Sequence, residues 1–360
     1  MRDAVTTDAP AVEVRGLAKH YGPVRALDGV DVTIQAGEYF VLLGPSGGGK
    51  TTLLRTIGGF HRPTAGDVLL HGRDVSDLPP EKRPTGMVFQ QYALFPHMTV
   101  ERNVGYGLSL QKRPKAEISD RVSAMLDQVG LTGLGGRKPH ELSGGQQQRV
   151  QLARALVLDR DILLLDEPLA ALDAQLRKDM CLELKHLQEK VGVTFIHVTH
   201  NQEEAMTVAN RIALIADGKL IEQGTARQIY EAPRRRFTAS FIGENNLIDG
   251  TLSATGDGTA TLDIGSDRIT VPSDESASSG HDATISIRSE LVAIGPAGGE
   301  GLAATFVESV YLGLTTSHRA RLADGTEIVS RVVSAPTPPA EPGAPVTVSW
   351  PQDSARLHID

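Results

Sequence analysis

The chain has a single cysteine, Cys181, among 360 residues. That excludes an internal disulfide and suits a reducing compartment. Cys181 itself reads as a packed or idle thiol on a helix. No apolar run approaches the roughly 18–20 residues that a membrane-crossing helix needs. The opening MRDAVTTDAP has no apolar stretch of the kind that marks a secretory signal. Positive charge is not in excess: 36 Lys and Arg stand against 44 Asp and Glu, a net charge of -8. General nucleic-acid binders are usually basic, so the balance argues against that class. There is no heptad run, no long internal repeat and no Asn-Lys-x-Asp motif for reading guanine.

What the chain does have is apolar patterning. Forty per cent of residues are hydrophobic, and the length suits two or three domains. Up to about Arg236, short apolar strands alternate with helical patterns. EYFVLLG, TGMVFQ, RDILLLDEP and VTFIHVTH read as buried strands ending in polar residues. AEISDRVSAMLDQVG puts Ile118, Val122, Met125, Leu126 and Val129 on one helical face. AQLRKDMCLELKHLQEK does the same with Leu176, Met180, Leu184 and Leu187. Such alternation predicts an α/β sheet with helices on its faces.

The character changes after PRRRF, whose Arg234, Arg235 and Arg236 read as a solvated linker face. From about Leu247 the chain is rich in Thr, Ser, Val, Gly and Asp. TGDG, IGSD and ADGTE are turn signals between alternating runs such as ATLDI and TISIR. A separate small β-barrel or sandwich is expected there, with APTPPAEPGAP (335–345) as a Pro-rich loop.

The chemistry-bearing residues lie at strand ends. GPSGGGKT comprises Gly44, Pro45, Ser46, Gly47, Gly48, Gly49, Lys50 and Thr51. It follows FVLL and opens the helical run KTTLLRTI, which also holds Thr52. The pattern is G-x-x-x-x-G-K-[ST] in a strand–loop–helix setting. Glycines let backbone N–H groups turn around phosphate oxygens, Lys50 reaches the terminal phosphates, and the Thr51 hydroxyl can ligate Mg²⁺. ILLL leads into Asp166, suited to the Mg²⁺ shell, and Glu167, placed to orient or deprotonate an attacking water. Gln90 closes TGMVFQ, and His200 lies just beyond VTFIHV. Open α/β sheets bind ligands at the carboxyl ends of their strands. His197, inside its strand, reads as structural. Without a guanine-reading motif, ATP is favoured over GTP. LSGGQQQRVQLARAL adds a second anion-binding helix start, with Ser143 as N-cap before Gly144, Gly145 and Gln146. One phosphate chain does not need two such sites.

These motifs, in the order GPSGGGKT, VFQQYALFPHMTV, LSGGQQQR, ILLLDEP, LAALDA and VTHNQEEA, resemble those of ABC transporter ATPase subunits of the importer type. The resemblance implies an α/β P-loop NTPase fold (an ABC ATPase with a helical subdomain) followed by an all-β OB/TOBE-like barrel domain. It sets the ATPase domain at 11–242, the helical subdomain at about 91–158 and the β domain at 243–360. It implies ATP and Mg²⁺ as ligands, with Thr51, Gln90 and Asp166 around the metal, and Glu167, His200 and Gln90 in hydrolysis. Tyr21 matches the aromatic that stacks on adenine. Two subunits, most simply two copies, face head to tail in this family. Ser143, Gly144, Gly145 and Gln146 then grip the partner's ATP, and Asp173 lies across the interface.

Further expectations come from the same resemblance. Tyr92, Leu94, Phe95 and Met98 either dock a membrane permease or pack within the helical region. The subunit sits on the cytoplasmic face of the membrane, and an external solute-binding protein and the permease choose the solute. FIGENN and YLG look most like the spermidine and putrescine importer group. Ferric iron, sulfate, phosphonate and sugar importers use similar subunits. Soluble ABC ATPases acting on ribosomes or DNA are the other class, but they usually carry two cassettes or long coiled coils. Departures from the family pattern are Gly48 for a common serine, Thr51 for serine, Ala170 for a frequent serine, and Ser289 where proline is common.

Overall fold

The computed structural model describes residues 9–90, 93–256, 258–265, 267–273, 279–333 and 338–359. The chain divides into two compact units, Met1–Ala226 and Arg227–Asp360. Tyr92 and residues 335–337 of the Pro-rich stretch lie outside the described residues.

In the first unit the elements run β1 (Val12–Tyr21), β2 (Val24–Ile34), β3 (Tyr39–Leu43), α1 (Lys50–Ile57), β4 (Ala65–Leu70), β5 (Arg73–Asp74) and β6 (Thr85–Val88). Then follow α2 (Val100–Leu110), α3 (Lys115–Gln128), α4 (Gly144–Leu156), β7 (Ile162–Asp166), α5 (Ala174–Val191), β8 (Thr194–Val198), α6 (Gln202–Val208), β9 (Arg211–Ala216) and β10 (Lys219–Thr225). The central sheet has the order β10-β9-β3-β8-β7-β6. Its strands from β9 to β6 pair in parallel. Every residue of β3, β7 and β8 is buried, as a parallel sheet covered on both faces requires.

A second, antiparallel sheet, β2-β1-β4-β5, was not anticipated from the alternating pattern. Its physical reason is visible in the register. β1 shifts against β2 at three places, and these irregularities break the two-residue period that marks a strand in sequence. The two sheets share one core, in which Leu17, Leu27 and Ile34 meet Phe40, Leu164 and Ile196.

Helices α2, α3 and α4 enclose a core of their own around Val104, Leu108, Val122, Leu126 and Val150. The apolar face expected on α3 is the face that packs there. Asn103 of α2, fully buried, ties down the preceding loop. Its amide donates to the carbonyls of Phe95, Met98 and Thr99, and its oxygen accepts from Phe95 N.

The second unit opens within α7 (Ala226–Glu231), then α8 (Arg236–Phe241), β11 (Asn245–Gly256), β12 (Thr259–Ile264), β13 (Asp267–Pro272) and β14 (Asp282–Arg288). β15 (Ala293–Pro296), β16 (Leu302–Tyr311), β17 (Thr315–Leu322), β18 (Glu327–Val333), β19 (Pro345–Ser349) and β20 (Arg356–His358) complete it. Two antiparallel sheets, β13-β12-β11-β14-β20 and β15-β19-β16-β17-β18, close on one core that includes Ile248, Leu262, Ile285, Phe306 and Val348. The strand-rich second unit agrees with the all-β expectation.

Candidate nucleotide site

The phosphate loop is shaped by a close approach of backbone to backbone. A Cβ on Gly44 (φ +150°) would lie 2.0 Å from the carbonyl oxygen of Ile215 in β9, and one on Gly48 would lie 2.9 Å from the same oxygen. No side chain fits at either position without moving the sheet. Gly49, with φ +106°, turns the chain into α1, a left-handed conformation that glycine adopts at little cost. Ser46 and Gly47 are exposed at the tip, Pro45 and Thr52 are half-buried, and the N-terminus of α1 faces the loop it follows. A glycine loop that leads into a helix N-terminus is a setting in which backbone N–H groups can bind phosphate.

Lys50 is 5% exposed. Its ammonium donates to the carbonyls of Gly44 and Pro45, each at 2.8 Å. Three N–H donors meet two acceptors, leaving capacity for an anion. Burial lowers the Lys50 pKa, with Glu167 and Asp166 opposing the shift.

Asp166 ends β7 and is 4% exposed. Its carboxylate accepts from Thr51 Oγ1 at 3.0 Å and from the Arg55 guanidinium at 3.2 Å. Sequence reasoning does not single out Arg55. The available signal is its i+4 spacing from Thr51 on α1, which puts both on one helical face. A hydroxyl beside a carboxylate offers hard oxygen donors. Among the described residues no group of three or more His, Cys, Asp or Glu side chains could hold a metal. That donor set suits Mg²⁺, which binds through one or two carboxylates and takes its other ligands from phosphate and water.

Glu167 sits one residue further, at φ +47°. Its carboxylate lies 3.3 Å from His200 Nδ1 and accepts from Gln90 Nε2 at 3.4 Å. The ends of β6, β7 and β8 thus bring Gln90, Glu167 and His200 together. In this structure the Gln90 amide turns to Glu167. His197, by contrast, is fully buried, hydrogen-bonds the Tyr39 hydroxyl at 3.1 Å, and has its pKa pushed down to about 3 by burial.

The remaining residues stand apart from that cluster. Ser143 Oγ accepts from Gln146 N, and Gln146 Oε1 accepts from Ser143 N, a reciprocal cap on α4. Gly145 is buried, and a Cβ there would lie 3.4 Å from Leu176 of α5, while Ser143 is exposed and Gly144 half-buried. Asp173 caps α5 through Leu176 N and is exposed. Tyr21, 45% exposed at the end of β1, has its ring edge-to-face with His61 and Lys19 Nζ 5.0 Å from its centroid. Leu94 packs on the helical core. Phe95 lies against Tyr106 and beneath the Arg154 guanidinium. Met98 lines a groove of about 900 Å³ with Tyr106 and Ile118.

A buried lysine in a glycine loop, beside a carboxylate that faces an imidazole, is machinery for cleaving a phosphoanhydride. The fold and site are those of a P-loop ATPase. The ABC transporter family pattern matches residues 27–170, and the TOBE domain pattern matches residues 285–357. The chain is 48% identical to the spermidine/putrescine import ATP-binding protein PotA of Mesorhizobium japonicum, over 90% of each chain. It is 46% identical to the PotA of Roseobacter denitrificans, over 96% of this chain and 97% of that one. Among solved structures it resembles cbiO1 of Clostridium perfringens, part of the ABC transporter complex cbiONQ. There the TM-score is 0.58 at 30% identity, covering 62% of this chain and 91% of that one. It also resembles the ATP-binding cassette MJ0796, solved as a dimer in a post-hydrolysis state bound to ADP and phosphate. There the TM-score is 0.53 at 34% identity, covering 60% and 99%. The chain belongs to the ABC transporter ATPases, in the group of the spermidine/putrescine import ATP-binding proteins.

Proposed function

We propose that this chain is the ATP-hydrolysing subunit of a polyamine importer, working as a pair of subunits beneath a membrane permease. The observation that carries the hydrolytic part is the convergence of Glu167, His200 and Gln90 beside Lys50 and Asp166. Lys50 and the N–H groups of 46–51 bind the phosphates, and the Tyr21 ring offers a face to adenine. Thr51 and Asp166 hold Mg²⁺, with Gln90 at its margin. When bound, the ion neutralises phosphate charge. Glu167 accepts the proton of the attacking water. His200 holds the Glu167 carboxylate in place and contacts the terminal phosphate.

Ser143, Gly144, Gly145 and Gln146 close over the nucleotide of a second copy, with Asp173 at the seam. The dimeric state of the related cassette supports that pairing. ATP binding does work only by favouring the closed pair over the open one. The loop at 93–99 and the groove beside it receive the permease at the cytoplasmic face of the membrane. An extracytoplasmic binding protein selects the solute, and nucleic acid has no part. The polyamine assignment is supported by the relatives' names and by their coverage of nearly the whole chain.

The test is labelled-solute uptake in cells carrying parent or Glu167→Gln protein, with purified Glu167→Gln examined in parallel. Spermidine and putrescine uptake should collapse, while Glu167→Gln still binds ATP, dimerises and hydrolyses about 100-fold or more slowly. Loss of ferric iron, sulfate or sugar uptake instead would overturn the solute assignment. A Glu167→Gln protein that stays monomeric in saturating Mg·ATP, even with its permease, would overturn the paired mechanism.

A further inference from the structure

Behind Glu167 and His200 lies a polar cluster that the hydrolytic reading does not use. Glu204, on the first turn of α6, is 5% exposed. Its Oε2 accepts from the Thr199 hydroxyl at 2.6 Å, and its backbone N–H donates to the Asn201 side chain at 3.1 Å. Asn201 N in turn donates to Thr199 Oγ1 at 3.0 Å. The two residues flanking His200 are therefore both fastened to Glu204. From α5, Arg177 brings its guanidinium Nε to 3.5 Å from Glu204 Oε1. The same guanidinium donates through its terminal nitrogen to the carbonyl of Leu172, next to Asp173, at 2.7 Å. A cavity of about 40 Å³ is lined by Glu167 and His200 together with Thr199, Arg177 and Glu204. The cluster thus borders the same space as the hydrolytic pair.

We propose that Arg177 and Glu204 are positioning residues for hydrolysis, fixing the His200 segment through Thr199 and tying it to the Leu172–Asp173 segment. This rests on the hydrolytic role proposed above for Glu167 and His200. The physical case is one of enforced geometry. A buried carboxylate needs its hydrogen bonds and its cation. Burial raises the Glu204 pKa, Glu167 adds to the rise, and Thr199, Arg177 and His200 offset part of it. The planar guanidinium donates to the Leu172 carbonyl while its Nε edge faces the Glu204 carboxylate as an ion pair, a fixed geometry that one lysine ammonium would not reproduce. Movement of the 172–173 segment then reaches His200 through rigid groups, without any contact to nucleotide by Arg177 or Glu204.

The test measures steady-state kcat and KM for Mg·ATP, nucleotide binding and thermal unfolding on the purified full chain. Glu204→Gln keeps an acceptor for Thr199 but loses the charge facing Arg177. Its kcat should fall about 10- to 100-fold, the scale of an ångström-level misplacement, with KM and binding within about twofold. Arg177→Met should do the same, and the double variant should lose no more than the worse single. Thr199→Val should follow Glu204→Gln, while Thr199→Ser restores the rate. Singles that keep parental kcat, losses that multiply in the double variant, or a Thr199→Ser as slow as Thr199→Val would overturn the proposal. The Thr199 pair decides the matter if Glu204→Gln fails to fold. Glu167→Gln run beside them separates two failures. If it retains turnover, the hydrolytic reading itself falls; if it alone loses turnover, only the positioning role falls.

Discussion

Both units bury cations, and two of them, Lys50 in the first and Arg288 in the second, are treated differently. Lys50 and Arg288 are 5% and 6% exposed, and burial lowers both pKa values. All three guanidinium nitrogens of Arg288 are engaged in structure. It donates to the carbonyls of Tyr230 and Ile242, and its guanidinium stacks 4.0 Å from the Tyr230 ring centroid. Lys50 has only two loop carbonyls for three donors, in a loop where Gly44, Gly48 and Gly49 leave no room for side chains. Burial alone does not mark a site. A buried charge with bonding capacity left over, in a backbone shaped for something else, does.

The contrast extends to chain connectivity. The second unit includes hairpin pairings between neighbours in sequence, as in β12 with β13 and β17 with β18. In the first, β3 lies between β8 and β9, more than a hundred residues away. Active groups there gather from distant strand ends.

The sharpest way to break the comparison is Gly44→Ala. The added methyl has no space beneath Ile215, so ATP binding and hydrolysis should be lost. The first unit should lose about 1–3 kcal/mol of stability, with the unfolding transition of the second unit unmoved in calorimetry. Phe306→Ala is the reciprocal change. Phe306 is 1% exposed in the β core, and its loss should cost about 3–5 kcal/mol, read as a lowered second transition with nucleotide binding intact.

A third test uses pH. Folded His197 has a pKa of about 3, against about 6.5 unfolded. Above the unfolded value neither state takes a proton there, and the group contributes no slope. As pH falls from there toward 3, only the unfolded chain is protonated. Stability should then drop by up to about 1.4 kcal/mol per pH unit. Urea titrations of parent and His197→Gln between pH 7 and 4 should show the parent falling more steeply. The smallest effect concerns Cys181, 3% exposed with its thiol pKa pushed up to about 12 by burial. At pH 8 it should react with a thiol reagent only through unfolding, and much more slowly than a free thiol.

Much of this was legible in the sequence. EYFVLLG, RDILLLDEP and VTFIHVTH became β3, β7 and β8 because continuous apolar runs bounded by polar residues are what a doubly covered sheet needs. The helical face from Ile118 to Val129 packs as its spacing predicts. What stayed hidden depends on distance or irregularity. The bulged register of β1 obscured the antiparallel sheet. Turn signals foretold local hairpins, but not β20 returning to pair with β14. Gln90, Glu167 and His200 could each be picked as strand-end residues. That the Gln90 amide turns to Glu167, and that Arg177 reaches Glu204, needed side-chain geometry no spacing encodes.

Glu167 carries one more lesson, through its left-handed backbone at φ +47°. A glutamate held there gives up about 1–2 kcal/mol that glycine would not. A laboratory screen for heat-resistant variants, blind to activity, should therefore favour Glu167→Gly or Glu167→Asn. Each would be a hardier protein and an idle one, because this strained acidic position is also the one assigned the water's proton. Thermal tolerance in this protein has to be sought elsewhere in the chain.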